Sequence, residues 1–534
     1  MKNKTAREQT SSKNHESAMT PIVIFFTLIG LAIRLAPALQ TNFPLNDGGL
    51  FYEMILDLQA ARYALPDFAT YNNADIPFAY PPLAFYLAGL LADLFHIPLL
   101  DILRLLPPII SALAIPAFYL LAKEVTDSKL QIVFGIFAFT LLPRVFAWHI
   151  MGGGITRSFG FIFALLTMTS AYRFYEGHEM RHLLACILLG ALTVLTHPEA
   201  TVHTAITALV FYLWKDRSLK GILLSLGIAA GILALTSPWW GLVVSRYGID
   251  PFLASMTAAG QDSFNPLVGL FIFFRFLFTE EAFLPILALL GLVGIFASLA
   301  RKQTLIPGWM LLIHLIEPRG GTQYMMVPLA LLIGYALENV ILPALHPGKE
   351  KINSPGNIQR ELERVLGGKT MRYFILFVFA YSLMSAYTTG QNIKDDISLQ
   401  PADLESFAWV RENTPADSQF LLVTVQHPFR DAWSEWFPVL AERRSQATVF
   451  GYEWVNDGQF RERVDAYNDL QACSYQDTAC LSEWEQGAQG AFSYVYLWNR
   501  GGSSRYPLTI HLQQDANYSL VFQNEQTAIF QRVK

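Results

Sequence analysis

The sequence predicts a mainly α polytopic membrane bundle of about 11 spans followed by a C-terminal mixed α/β domain on the extracytoplasmic side. Three observations carry this prediction. Of 534 residues, 53% are hydrophobic and 15% charged, where soluble globular proteins carry about a quarter charged. The charge is uneven, because residues 391–534 hold 30 of the 81 Lys, Arg, Asp and Glu. Apolar runs near the roughly 20 residues needed to cross hydrocarbon recur at 20–39, 103–122, 130–148, 155–174, 183–197, 200–214, 221–239, 281–300, 304–317, 323–343 and 372–389.

Taken in order, residues 1–19 form a cytoplasmic N-terminal tail with Lys2, Lys4, Arg7 and Lys13. No small-residue cleavage site follows the first apolar run, so it reads as a retained span. Residues 20–390 form the transmembrane body. With the N-terminus inside, the N-terminal tail and the inner loops collect 19 of the 27 Lys and Arg of residues 1–390, the bias expected of cytoplasmic segments. The remaining eight, Arg34, Arg62, Arg104, Arg144, Arg157, Arg246, Arg275 and Arg319, fall in outer loops or toward outer ends of spans. Making 81–97 (PPLAFYLAGLLADLFHI) a full span would invert every later loop, so it is placed at the outer interface. Two long outer loops follow, 40–102 and 240–280, the first opening with a helix from Leu50 in which Phe51, Met54, Ile55 and Leu58 recur at helical spacing. No internal repeat of the inverted-transporter sort is visible.

Residues 391–534 form the extracytoplasmic domain. DLESFAWVREN reads as a helix, FLLVTV and ATVF as short strands, and SYVYLW, YSLVFQN and TAIFQRV as a strand-rich end. Cys473 and Cys480 are close enough for a local disulfide in an oxidising compartment, while Cys186 lies in an apolar run. The tail is acidic, with 11 basic and 19 acidic residues, so nothing marks a nucleic-acid surface.

Asp47, in FPLNDGGLFYEM, lies just past the first span beside two glycines. A carboxylate there can take a proton or hold a metal; the plainer alternative is that Asn46 or Asp47 caps the following helix. HIMGGGITRSFG at 149–160 offers Thr156 and Arg157 beside three glycines, either a backbone nest and cation for phosphate or close span packing with an interfacial arginine. THPEATVH at 196–203 carries His197 and Glu199 in a turn with Pro198; their spacing is not that of HExxH.

The first span, a long outer loop opening with an acidic residue, YPPL at 80–83 and DILRLLPPIISALAIPAFYLLAKEV together resemble the GT-C glycosyltransferase superfamily: oligosaccharyltransferases, protein mannosyltransferases and aminoarabinose transferases. The resemblance implies a glycosyltransferase moving a sugar from a polyprenyl-phosphate-linked donor to an acceptor, a lipid, glycan or protein, at the extracytoplasmic face of the cell membrane. It implies Asp47 as the catalytic acidic residue and Tyr80 as accessory; His197 and Glu199, which by residue type could bind metal or relay a proton, are further accessory candidates apart from the resemblance. Arg319, ahead of a Pro-containing late span, is similar to a lipid-phosphate-binding arginine, the alternative being a pair with Glu317; Arg157 stays a second phosphate candidate on its own segment's chemistry. Glu280 of Thr279-Glu280 is similar to an acceptor-motif glutamate. DAWSEWFPVL resembles a degenerate W-W-D-Y-G region, which makes Trp433, Glu435 and Trp436 acceptor-binding candidates, against the alternative of a packed helix face. The D-x-E motif of oligosaccharyltransferases is not intact here, so a divalent cation is compatible with the resemblance without a motif to hold it. The competing function is a transporter or flippase of a lipid-linked glycan, for which broken helices and midplane charges are the signature.

Overall fold

The computed structural model describes residues 2–258, 278–345, 358–455, 458–488, 490–499 and 506–533. Five helices among them are long and apolar enough to cross a membrane: Met19–Leu39, Leu99–Val125, Leu219–Tyr247, Gly320–Leu345 and a stretch beginning at Lys369. They belong to a multi-pass bundle that shorter apolar helices complete.

The chain opens with α1 (Lys2–Leu39), then α2 (Gly49–Ala60), α3 (Leu83–Phe95), α4 (Leu99–Val125), α5 (Lys129–Leu141) and α6 (Pro143–Phe146). There follow α7 (Gly154–Gly177), α8 (Met180–Val194), α9 (Pro198–Lys215), α10 (Leu219–Tyr247) and α11 (Asp250–Ala258). The bundle closes with α12 (Ile286–Ala300), α13 (Leu305–Ile316), α14 (Pro318–Tyr324), α15 (Met326–Ala336), α16 (Leu342–Leu345), α17 (Ile358–Gly367) and α18 (Lys369–Asp396). The apolar run at 130–148 is not one helix. Its first part, capped by the Ser128 hydroxyl accepting the Gln131 N–H, ends at Leu142, where Pro143 biases the preceding residue out of the helical region and starts a new turn. The run at 221–239 is longer than expected, reaching Tyr247 through Pro238, so the loop expected at 240–280 begins later; its 259–277 part lies outside the described residues. The segment 81–97 forms a separate helix, α3, whose Ala84, Phe85, Ala88, Gly89 and Ala92 face inward while Leu94 and Phe95 are exposed.

The bundle core is a column of aromatic rings crossing three helices. Phe118 of α4 stacks on Phe139 of α5 at 4.2 Å, and Phe139 on Phe161 of α7 at 6.0 Å. Such offset stacking adds to the packing of apolar area.

After α18 come α19 (Pro401–Asn413), α20 (Ala432–Leu440), α21 (Phe460–Ala472), α22 (Ala479–Ala488) and α23 (Pro507–Gln514) around a sheet. A small hairpin, β1 (Phe68–Ala69) with β2 (Ile76–Pro77), lies in the loop after α2. The main sheet contains β3 (Gln419–Val423), β4 (Arg444–Ser445), β5 (Tyr494–Trp498), β6 (Tyr518–Gln523) and β7 (Thr527–Arg532) in the order β4-β3-β5-β7-β6. β4, β3 and β5 are parallel; β7 and β6 run antiparallel. ATVF at 447–450, expected as a strand, is irregular, and the pairing falls instead on Arg444–Ser445.

Alternation along β3 decides how the domain docks. Leu421 and Val423 pack with Tyr467, Leu470 and Leu512 on the far face. Phe420 and Leu422 share a second core with Phe43, Leu50, Met54, Phe78, Trp433 and Trp436. The loop after α1 and the C-terminal sheet are thus one hydrophobic body, as period-2 patterning allows when both faces of a strand are covered. Cys473 and Cys480 form a disulfide with a Cα separation of 5.6 Å, and Cys186 is free and buried.

Candidate active site where bundle and sheet domain meet

Asp47 leaves α1 on a loop pressed between two others. The Gly152 N–H donates to the Leu45 carbonyl at 2.9 Å and the Gly153 N–H to the Asp47 carbonyl at 3.2 Å. A Cβ on Gly152 would stand 2.2 Å from that carbonyl oxygen, and one on Gly48, at φ +127°, 2.9 Å from the Gly152 carbonyl carbon. Glycine is therefore required on both strands of this contact, for space and at Gly48 also for backbone conformation. This corrects the phosphate-nest reading of the triple glycine: the Gly152 and Gly153 N–H groups are spent on the Asp47 loop.

The Asp47 side chain is buried apart from a narrow edge. Its Oδ1 accepts the Gly153 N–H at 2.9 Å, and its Oδ2 pairs with Nη2 of Arg157, in the first turn of α7. Arg157 also donates from Nη1 to the Trp148 carbonyl at 2.8 Å and lies over the Trp148 ring. Arg430, an exposed residue of the sheet domain, lies 4.9 Å from the same ring. Beside this pair the Tyr80 hydroxyl is 3.2 Å from Oγ1 of Thr156, and burial pushes the Tyr80 phenol up. The sequence brought Asp47, Arg157 and Tyr80 forward separately; the structure gathers them. Arg430 was missed, because nothing local distinguishes it from other charges of the tail.

The helix cap comes from elsewhere. Gly48 occupies the N-cap position of α2, and neither Asn46 nor Asp47 caps it. Oε1 of Glu435 accepts the Gly48 N–H at 3.0 Å and the Leu50 N–H at 3.3 Å. The Glu435 carboxyl is pushed up to about 8 by burial first and then by the Asp47 charge, against the pull of those N–H groups. Trp436 donates from Nε1 to the Asn46 carbonyl at 2.8 Å and packs edge-on to Phe43 at 4.6 Å. Trp433 packs on Trp498 at 4.1 Å. Both indoles are buried, so the expected stacking surface for an acceptor is a packed helix face instead.

A second polar group lies around the start of α14. Oε2 of Glu317 is 2.7 Å from Nε2 of His203 and accepts the Gly320 N–H at 2.9 Å. Glu199 is close by, since a Cβ on Gly320 would meet its Oε2 at 2.9 Å. Glu199 also acts electrostatically on Arg157 and Tyr80, which ties this group to the Asp47 site. His197 caps α9, its Nδ1 accepting the Ala200 N–H at 3.4 Å, the structural role that a turn before Pro198 suggests. The Arg319 side chain lies outside the described residues, and its backbone is in α14. Glu280 pairs with Arg144 at 2.5 Å, whose Nη2 also donates to Thr322.

Several of the arginines expected on the outer side are likewise committed. Arg34 is fully buried and donates to Ser111, Gly30 and Thr140; Arg104 pairs with Asp101 and Arg246 with Asp67.

These donors do not fit a cation of the oligosaccharyltransferase type. Both Asp47 oxygens have partners, one a guanidinium, and the D-x-E position holds glycines. Among the described residues no three His, Cys, Asp or Glu come together as metal ligands.

Residues 79–241 match the family profile described as dolichyl-phosphate-mannose-protein mannosyltransferase. Among curated proteins, none matches the chain in sequence. The structure is similar to ArnT from Cupriavidus metallidurans bound to undecaprenyl phosphate, with TM-score 0.57 and 15% identity over 96% of this chain and 98% of that one. It is similar to the archaeal oligosaccharyltransferase AglB from Archaeoglobus fulgidus, in complex with an inhibitory peptide and a dolichol-phosphate, with TM-score 0.53 and 15% identity over 90% and 69%. The arabinofuranosyltransferase AftD from Mycobacteria gives TM-score 0.52 and 16% identity over 95% of this chain and 40% of that protein.

Proposed function

The chain has the fold of the GT-C glycosyltransferases, and from that premise we propose that it transfers a sugar from a polyprenyl-phosphate-linked donor to an acceptor hydroxyl at the extracytoplasmic membrane face. The observation that carries the proposal is the Asp47 carboxylate, fixed by Gly153 and Arg157 where the bundle meets the sheet domain. In the reaction the acceptor oxygen attacks the sugar C1, the bond from C1 to the phosphate oxygen breaks, and the bonding pair leaves with the lipid phosphate. The acceptor proton passes to Asp47 as general base. Arg157 holds that carboxylate in place. We assign the exposed guanidinium of Arg430, together with Arg319, to the leaving phosphate, because developing charge is stabilised by cations already in position.

The two bound-lipid neighbours support a polyprenyl phosphate as the donor class: ArnT is described with undecaprenyl phosphate and AglB with a dolichol-phosphate. The excess of Lys and Arg in alternate loops supports a cytoplasmic N-terminus and an extracytoplasmic sheet domain, with 11 spans. Incubating the purified protein with a panel of polyprenyl-phosphate sugars and measuring released lipid phosphate tests the proposal. Release dependent on an acceptor supports it, and release from none of the panel contradicts it.

A further inference from the structure

The loop that carries Asp47 is built by two domains, and each controls a different part of it. The side chain of Asp47 is held entirely by the bundle, through Gly153 and Arg157. The backbone around it is held from both sides: the Leu45 and Asp47 carbonyls accept from Gly152 and Gly153 of the bundle, and the groups beside them bond to the C-terminal part of the chain. The Asn46 N–H donates to Oγ of Ser398 at 2.8 Å, and the Asn46 carbonyl accepts from Trp436 at 2.8 Å. The Gly48 and Leu50 N–H groups donate to one oxygen of Glu435. The Tyr71 hydroxyl, from the same first loop, donates to the Glu435 carbonyl at 2.8 Å. A Cβ on Gly49 would stand 2.7 Å from that carbonyl oxygen, so the two backbones are in direct contact.

We propose that Glu435 is a positioning residue for the active site: it replaces the missing side-chain cap of α2 from 387 residues away and thereby sets where Asp47 stands, so that the sheet domain is part of the catalytic centre rather than an appended acceptor module. The inference rests on Asp47 being the general base.

Three features of the geometry support it. Gly48 has no side chain to satisfy the first N–H groups of α2, and an unsatisfied buried helix start is costly. Glu435 is buried and spends one oxygen on that helix start, while its Oε2 has no hydrogen-bond partner. One acceptor oxygen is all that the helix start requires, so an amide can cap it as well as a carboxyl group, whereas an apolar residue cannot. Finally, the Asp47 charge acts on Glu435, which places the two carboxyl groups in one electrostatic unit. With its proton retained near neutrality, Glu435 resembles a glutamine in shape and hydrogen bonding, which makes Glu435→Gln the conservative replacement.

The test compares Glu435→Ala and Glu435→Gln in the full-length, detergent-purified protein by amide hydrogen exchange and by turnover. In Glu435→Ala, exchange at residues 46–52 should rise by about tenfold or more while exchange in β3 and β5 stays at wild-type level, the signature of a local opening. Its kcat should fall with the donor KM unchanged, and Glu435→Gln should restore both readouts. Should Glu435→Ala fail to fold, Trp436→Phe keeps an aromatic ring in the core while removing the bond to the Asn46 carbonyl, and it should raise exchange at the same residues and lower kcat. Unchanged exchange at 46–52 in the alanine variant, or a glutamine variant as impaired as the alanine one, overturns the inference. If the wild-type protein releases no lipid phosphate at all, the glycosyltransferase reading fails while the exchange comparison still decides whether Glu435 holds the loop.

Discussion

Nε2 of His203 lies 2.7 Å from Oε2 of Glu317, and that oxygen also accepts the Gly320 N–H. The His203 ring stacks on Tyr324 at 4.4 Å. Glu317 is therefore the carboxylate at the start of α14, the short helix that carries Arg319, and a buried histidine on α9 holds it there.

That relationship sharpens the test of Arg319. Arg319→Lys should keep part of donor binding, because a point cation remains, whereas Arg319→Gln should lose about 1.5 to 3 kcal/mol, the range for a hydrogen bond to a charged group. His203→Leu should weaken donor binding as well by releasing Glu317, with acceptor binding untouched. Donor titration checks all three. Full recovery in the Arg319→Gln, Glu317→Gln double variant would mean that Arg319 only balances Glu317.

Glu280 was expected to bind acceptor, yet its carboxylate is paired with Arg144, which also bonds Thr322. The pair ties the segment before α12 to α6 and α14. A double-mutant cycle with Arg144→Met and Glu280→Gln should give a coupling of about 1 kcal/mol in unfolding free energy. An acceptor KM that rises in Glu280→Gln but not in Arg144→Met would return Glu280 to the acceptor site.

Legibility in the sequence followed the range of the interaction. Period-2 patterns revealed β5, β6 and β7, and long apolar runs revealed α1, α4 and α10, because those signals are local. ATVF misled because an edge pairing of two residues is set by where the neighbouring strand ends, not by β-propensity. The 130–148 run misled because hydropathy ignores the backbone effect of Pro143. Asp47 could be found from its place after the first span, but not its partners. Local reasoning made Asn46 or Asp47 the cap of α2, since Asp caps helices often; a glutamate from the far end of the chain took the role. For the same reason Trp433 and Trp436 looked like a ligand surface until tertiary packing buried them.

Glu435 gives a pH signature. Its ordinary value of 4.5 is pushed up to about 8 in the folded protein, so between those values the unfolded chain has lost a proton that the folded one keeps. Stability from this group is complete below about pH 4.5 and is lost as pH rises through about 8. Thermal unfolding across that window should show wild-type protein falling relative to Glu435→Gln, which has no proton to lose. Parallel pH curves for the two proteins would show that the carboxyl is not perturbed.

The disulfide and the orientation can be tested together. Replacing Cys473 and Cys480 by serine should lower the stability of the sheet domain by about 2 kcal/mol, in the range for a short closed loop. A single cysteine introduced at position 520 should react with an impermeant label in intact cells. Reaction only after permeabilisation would place the sheet domain inside and remove the extracytoplasmic site with it.

The most direct measurement is release of lipid phosphate by Asp47→Asn beside the wild-type protein, with the same donor and acceptor. Asparagine keeps the size of the side chain and can still accept the Gly153 N–H, but it cannot take the acceptor proton. The account predicts a folded variant with donor binding retained and turnover abolished. Turnover at the wild-type rate would contradict it and leave Asp47 as the structural partner of Arg157.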